Sequence, residues 1–234
     1  CTLQIGGSDQ WGNITAGTDL VRRVEQATVN ALTTPLVTKA DGTKFGKTES
    51  GTVWLSPELT SPYAFFQFWI NADDRDTDQL LRTFTFRTQE EIEALKAITE
   101  ERPQAREAQR TLARDVTSLV HGEHHAQQAE AAAKALFGQG ELQELDLATL
   151  DSALSEAPNA TISGSDFPSV AELLVAAGIV EGNNAGRRAI AEGGVSINNV
   201  KVGEDYVVTA DDFLHGKWLI LRRGKRTFGG IQRG

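Results

Sequence analysis

The sequence has 234 residues, 40% of them apolar, a formal net charge of −9 and one cysteine, Cys1. That length and apolar content can build one large core or two or three small ones. The single cysteine excludes an internal disulfide framework, and no apolar run approaches the ~20 residues that span a bilayer. A soluble cytoplasmic protein with no membrane partner is expected.

There is no methionine, and residue 1 already stands at the edge of a strand pattern. The expectation is therefore a piece of a longer chain whose N-terminal half is absent. Charge is unevenly spread. No lysine or arginine occurs between Lys134 and Arg187, whereas Lys217, Arg222, Arg223, Lys225, Arg226 and Arg233 crowd the end without one acidic residue. An acidic body with a basic end predicts a local polyanion contact.

Leu3-Gln4-Ile5 reads as a strand that stops at Gly6-Gly7, and helical spacing follows over residues 14–31. Strand, glycines and helix is the arrangement in which open α/β sheets bind ligands beyond a strand's carboxyl end. Paired glycines let a ligand come close to the backbone. Asp9 has two readings here: an acceptor for ribose hydroxyls, or a helix cap together with Ser8.

A second strand is expected at Pro35-Leu36-Val37-Thr38, followed by a loop carrying Lys44-Phe45-Gly46-Lys47-Thr48. Two ammonium groups on a bendable backbone suit a polyanion such as a triphosphate, though a solvated hairpin tip has the same composition. A P-loop is excluded. Gly42 and Gly46 are separated by three residues where that motif needs four, and Gly51 argues against a helix directly after Thr48.

Ser61-Pro62 predicts a helix start, with Tyr63, Phe65, Phe66, Phe68, Trp69 and Ile70 making a helix aromatic enough to be buried. Helical patterns continue over residues 76–82, 89–100, 103–119 and 127–137. The 103–119 pattern places Leu112, Val116 and Leu119 in the core. It also sets Arg102, Arg106, Arg110 and Arg114 in one stripe, readable as a backbone-phosphate rail or as a solvated face laced with Glu101, Glu107 and Asp115. His121, His124 and His125 lack a third ligand type and read as a surface feature; no metal site is expected.

Residues 139–166 look like an acidic connector. Beyond it, Ser169 caps a short helix that ends at Gly178, and a second helix carries Arg187 and Arg188. Strands are expected at 195–197, 200–202, 205–209 and 218–222, with Asn198-Asn199 as a hairpin turn. Adjacent arginines beside a small sheet suit RNA held by shape and phosphate.

Gly6-Gly7-Ser8-Asp9-Gln10-Trp11-Gly12-Asn13, followed some thirty residues later by Lys44-Phe45-Gly46-Lys47-Thr48, resembles the bacterial tyrosyl-tRNA synthetases, and the lysine loop looks like the KMSKS loop of class I synthetases. The last segment is similar to their S4 RNA-binding domain. The family's first half, with its His-x-Gly-His signature, has no counterpart in this sequence.

The resemblance implies an α/β remnant of a Rossmann-type catalytic domain (residues 1–58), an all-α anticodon-binding-type domain (59–138), an acidic linker (139–166) and a small α+β S4-like domain (167–234). It also implies tyrosine activation by ATP, with Mg as companion, followed by transfer to tRNA-Tyr in a homodimeric enzyme. Lys44, Lys47 and Thr48 would be catalytic. Gly6, Gly7 and Asp9, with both lysines, would bind ATP and adenylate, and Gln4 and Gln10 would bind tyrosine. Arg187, Arg188, Lys217, Arg222, Arg223, Lys225 and Arg226 would bind RNA. The fragment alone would be inactive, and the competing reading is a structured-RNA-binding module without catalysis.

Overall fold

The computed structural model describes residues 1–40, 45, 47–48, 51–164, 167–224 and 227–234. They fall into two compact units, Cys1–Thr52 and Val53–Gly234.

The first unit is built on a parallel crossover. Strand β1 (Leu3–Gly7) leads through a 3-10 turn, Ser8–Gln10, into helix α1 (Trp11–Glu25) and back to strand β2 (Asn30–Thr34). The strands pair in register from Leu3 opposite Asn30 to Gly7 opposite Thr34, so both finish at one edge. Ile14 is the buried anchor of α1. The helix is shorter than the pattern over 14–31 predicts, because Gln26 leaves it in the left-handed conformation at φ 53°. The second strand correspondingly lies at Asn30–Thr34 instead of 35–38, and Pro35, which has no backbone N–H to donate, directly follows it. Strands β3 (Lys47–Thr48) and β4 (Gly51–Thr52) pair antiparallel, so no helix opens after Thr48.

The second unit opens with helices α2 (Pro62–Ile70), α3 (Asp74–Phe84), α4 (Gln89–Glu101), α5 (Glu107–His121) and α6 (Glu123–Ala135). Ser61 caps α2 by accepting from the Ala64 N–H, with Pro62 at the first helical position, as expected. Tyr63, Phe65, Phe66 and Trp69 are buried as α2 packs on α5 and α6. Thr88 and Glu91 form a reciprocal capping box at the start of α4.

The helix expected over 103–119 is broken. Pro103–Ala105 is a 3-10 turn, and Arg106 adopts φ 51° before α5 begins. The four-arginine stripe is therefore not one helical row. Arg106 donates to the Ile70 carbonyl, Arg110 faces Glu107, and Arg114 pairs with Glu123. Leu112 and Val116 are buried as expected, but Leu119 is 61% exposed.

Over its described residues, 139–164, the stretch expected as a linker is structured. It contains helix α7 (Leu147–Ser155) and strand β5 (Asn159–Ile162), and Leu142, Leu145, Leu150 and Leu154 are buried. Its acidic residues lie between core leucines, which explains why composition alone reads as connector. Asp146 caps α7 by accepting from the Thr149 N–H.

Helices α8 (Val170–Ala176) and α9 (Asn183–Ala191) follow, then strands β6 (Val195–Ile197), β7 (Val200–Lys201), β8 (Trp218–Arg223) and β9 (Thr227–Arg233). The sheet runs β5-β9-β8-β6-β7, with β5 parallel to β9 and the other pairs antiparallel. Ser169 caps α8 in a capping box with Glu172. Asn198 and Asn199 make the β6–β7 turn at φ 46° and 68°, the left-handed pair that a two-residue hairpin favours. The expected strand over 205–209 is absent. That segment leads into a 3-10 turn, Ala210–Asp212, closed by Thr209 and Asp212. Two strands, β5 and β9, were not expected. Gly229-Gly230 in β9 hides its strand pattern, yet a Cβ on Gly229 would lie 2.7 Å from the Pro158 carbonyl oxygen and one on Gly230 3.0 Å from the Trp218 ring.

Candidate functional site

Of the predicted nucleotide-binding residues, Gly6, Gly7 and Asp9 lie together at the end of β1. Gly6 lies over Ile14, whose Cδ1 would be 3.0 Å from a Cβ there, and under the Gln10 side chain, whose Cβ would be 3.4 Å away. Gly7 is tighter: a Cβ would meet Asp9 Oδ1 at 2.7 Å and Leu36 Cδ2 at 2.9 Å. Only glycine leaves room for the Asp9 carboxylate to fold back on the strand end. Asp9 does not cap α1, since the structure shows no side-chain capping bond at its start. Its carboxylate is exposed and accepts from Gln10 Nε2 at 3.4 Å, while Gln10 Oε1 accepts from Asn13 Nδ2 at 3.0 Å. Gln4 stands on the Gly6 face of β1, as alternate strand residues do, and its Oε1 lies near Gly17 in the middle of α1. Gln4 thus flanks the cluster.

This arrangement presents a carboxylate, an amide donor and bare backbone at the carboxyl edge of two parallel strands. It can accept from a pair of hydroxyls and donate to one oxygen. Lys44 lies outside the described residues, and Lys47 and Thr48 are described by their backbone alone. The contact of Asn13 with Gln10 is one that sequence reasoning missed. Its signal was available, because residues three apart in a first helical turn face each other.

Among the described residues, the predicted RNA-binding set separates into two groups. Arg187 and Arg188 project from α9 and are exposed. Gly186 allows this by letting α9 approach α8, since a Cβ there would sit 3.2 Å from Ala171. Arg223 is exposed at the end of β8; Lys225 and Arg226 lie outside the described residues.

Lys217 and Arg222 face other parts of the chain. Lys217 Nζ pairs with Asp151 at 2.7 Å, and the same carboxylate accepts from the Trp218 indole N–H. The Arg222 guanidinium lies on Gly138, just beyond α6. The neighbouring contacts are of the same kind. Asn199 Nδ2 donates to the Ala135 carbonyl at 2.7 Å, His215 Nε2 meets the Leu145 carbonyl, and the Phe137 and Phe228 rings stack edge to face at 5.5 Å. Basic composition alone does not tell a phosphate-facing cation from one tying a sheet to helices.

In the helical part, Arg114, Ser118 and Gln127 converge on Glu123. Hydrogen bonds from Ser118, then Arg114 and Gln127, hold its pKa at about 2. Burial, with Glu156 nearby, pushes Tyr63 up to about 12. His121 sits edge-on against Phe65 at 4.8 Å, and burial lowers its pKa, with His125 adding to the effect. Among the described residues, no group of three or more His, Cys, Asp or Glu is placed to hold a metal, and no helix is long and apolar enough to cross a membrane.

The chain is similar to known proteins along most of its length. The family described as tRNA synthetases class I (W and Y) matches residues 1–138, and the Tyrosine--tRNA ligase SYY-like C-terminal domain matches residues 149–231. The tyrosine–tRNA ligase of Streptomyces avermitilis is 58% identical over 234 residues, covering 99% of this chain and 55% of the relative. That of Thermobifida fusca is 56% identical over 238 residues, with coverage of 99% and 55%. A C-terminally truncated mitochondrial tyrosyl-tRNA synthetase from Aspergillus nidulans superposes with a TM-score of 0.50 at 30% identity, over 58% of this chain and 39% of that one. The chain thus spans about half the length of the curated relatives it matches. With the strand–glycine–helix site inside the first matched region and the helix-pair sheet inside the second, the chain belongs to the class I tRNA synthetases (W and Y).

Proposed function

We propose that this chain supplies the adenylate-facing strand end, the lysine loop and the RNA-gripping part of a tyrosine–tRNA ligase. The observation that carries the reading is the Asp9 carboxylate folded over Gly7 at the shared edge of β1 and β2. On this reading Asp9 accepts from the ribose hydroxyls of ATP, Gly6 and Gly7 let the nucleotide lie against the backbone, and Gln10 and Gln4 orient the tyrosyl group. The tyrosine carboxylate attacks the α-phosphorus and pyrophosphate leaves, after which a terminal ribose hydroxyl of tRNA-Tyr takes the tyrosyl group. Such a displacement needs positioning and charge stabilisation more than a protein nucleophile. Lys44 and Lys47 supply that charge and Thr48 a hydroxyl donor. Mg accompanies the triphosphate, and the enzyme works as a homodimer.

In the second unit, the exposed Arg187 and Arg188 on α9 and Arg223 at the end of β8 contact tRNA in an S4-like manner, and Lys225 and Arg226, outside the described residues, add to its binding. The preceding helices form the anticodon-binding-type domain.

The test is a chimera in which this chain replaces the matching part of the Streptomyces avermitilis ligase. Tyrosine-dependent ATP–pyrophosphate exchange is expected, and Lys47→Ala should slow adenylate formation by an amount corresponding to roughly 2–4 kcal/mol with tyrosine affinity unchanged. A folded chimera that binds tRNA-Tyr but performs no exchange would leave the non-catalytic RNA-binding module as the better account. Full-speed adenylate formation by Lys47→Ala would remove the clamp role.

A further inference from the structure

We infer that Asn13 is a positioning residue that fixes Gln10 as a hydrogen-bond donor to the reacting tyrosyl group; this rests on the ligase reading above. A glutamine amide can present either its oxygen or its nitrogen, and which one a ligand meets depends on what holds the other. Asn13 Nδ2 donates to Gln10 Oε1 at 3.0 Å, and the Asp9 carboxylate, which only accepts, takes the Gln10 Nε2 side at 3.4 Å.

The stem of Gln10 is confined as well, since its Cβ and Cγ pack over Gly6. With the oxygen held by Asn13 and one N–H directed at Asp9, the group left for a ligand is the second N–H of Nε2. It therefore meets an acceptor, such as the carbonyl or carboxylate oxygen of a tyrosyl species. Without Asn13 the amide keeps only the long contact to Asp9, so its Nε2 is held less firmly toward that acceptor. Asn13 touches no reacting atom in this scheme and acts through Gln10.

The experiment is a double-substitution cycle in the active chimera, read by pyrophosphate exchange. Asn13→Ala is expected to lower kcat about fivefold, the size of one hydrogen bond, with KM for ATP unchanged. Asn13→Asp, similar in size and unable to donate when ionised, is expected to show at least the same deficit with an unchanged melting temperature. In a Gln10→Ala background, Asn13→Ala should cost nothing further. A normal kcat for Asn13→Ala, or an undiminished loss in the Gln10→Ala background, overturns the inference while leaving the ligase reading intact. A normal rate for Gln10→Ala alone overturns the role of Gln10, and with it that of Asn13.

Discussion

The guanidinium of Arg222 lies so close over Gly138 that a Cβ built on the glycine would sit 1.7 Å from Nη1. Gly138 also has φ 82°, a conformation that costs other residues free energy. Gly138→Ala should therefore destabilise the protein by about 1–3 kcal/mol, with the cost arising from backbone strain and from displacement of the Arg222 head. Urea unfolding of the purified chain measures it. A loss under about half a kcal/mol, the range of a neutral surface change, would mean that neither constraint matters.

Asp151 accepts from both Lys217 and the indole of Trp218. The two bonds are not equal. The Lys217 pair is partly exposed, and such pairs are worth about 0–1 kcal/mol. Trp218 is buried, so an unmet indole N–H costs about 1–3 kcal/mol. Asp151→Ala should consequently destabilise by more than Lys217→Ala, and thermal unfolding of both variants gives the order. The reverse order would show that the ion pair dominates.

His121 sets a pH dependence. Burial, then the neighbouring His125, pushes its pKa below the ordinary 6.5. Below that pH the unfolded chain takes up a proton that the folded one resists, so stability should fall as pH drops through about 6.5 and be fully present above it. His121→Phe keeps an aromatic ring against Phe65 and removes the titration. The denaturant midpoint of the native chain should drop between about pH 7.5 and 5.5, either side of the ordinary histidine value, by more than that of the variant. Equal drops would place the effect elsewhere.

Arg187 and Arg188 are tested through salt. Charge reversal at both should weaken tRNA binding and reduce the slope of log K against log salt by roughly one to two, about one for each phosphate that is no longer neutralised. Lys217→Ala should leave that slope unchanged, because Lys217 faces Asp151. An unchanged slope for the double arginine variant removes α9 from the RNA face.

Strong local signals were legible in the sequence. Ser61-Pro62, Ser169 and Asn198-Asn199 each satisfy specific backbone groups, and the elements they predict are present. Signals that depend on distant partners were not. Residues 139–166 look acidic and loose, yet strand β5 exists because β9 pairs with it across the sequence. The arginine row failed for a local reason, the left-handed Arg106, which composition does not announce. The clustering of Gly7 and Asp9 at the strand end follows from the strand–glycine–helix order. The separation of Lys217 and Arg222 from the exposed arginines could not, since all are basic and only their neighbours differ.

The hydrogen bond from Asn199 to Ala135 ties two distant stretches of chain together. The Ala135 carbonyl in the last turn of α6, which accepts from the Gly138 N–H, takes a second hydrogen bond from a side chain 64 residues further along the chain. One side-chain hydrogen bond thus joins the β6–β7 hairpin tip to the end of α6, and a net contribution of about 1 kcal/mol is the size of coupling it supplies between them.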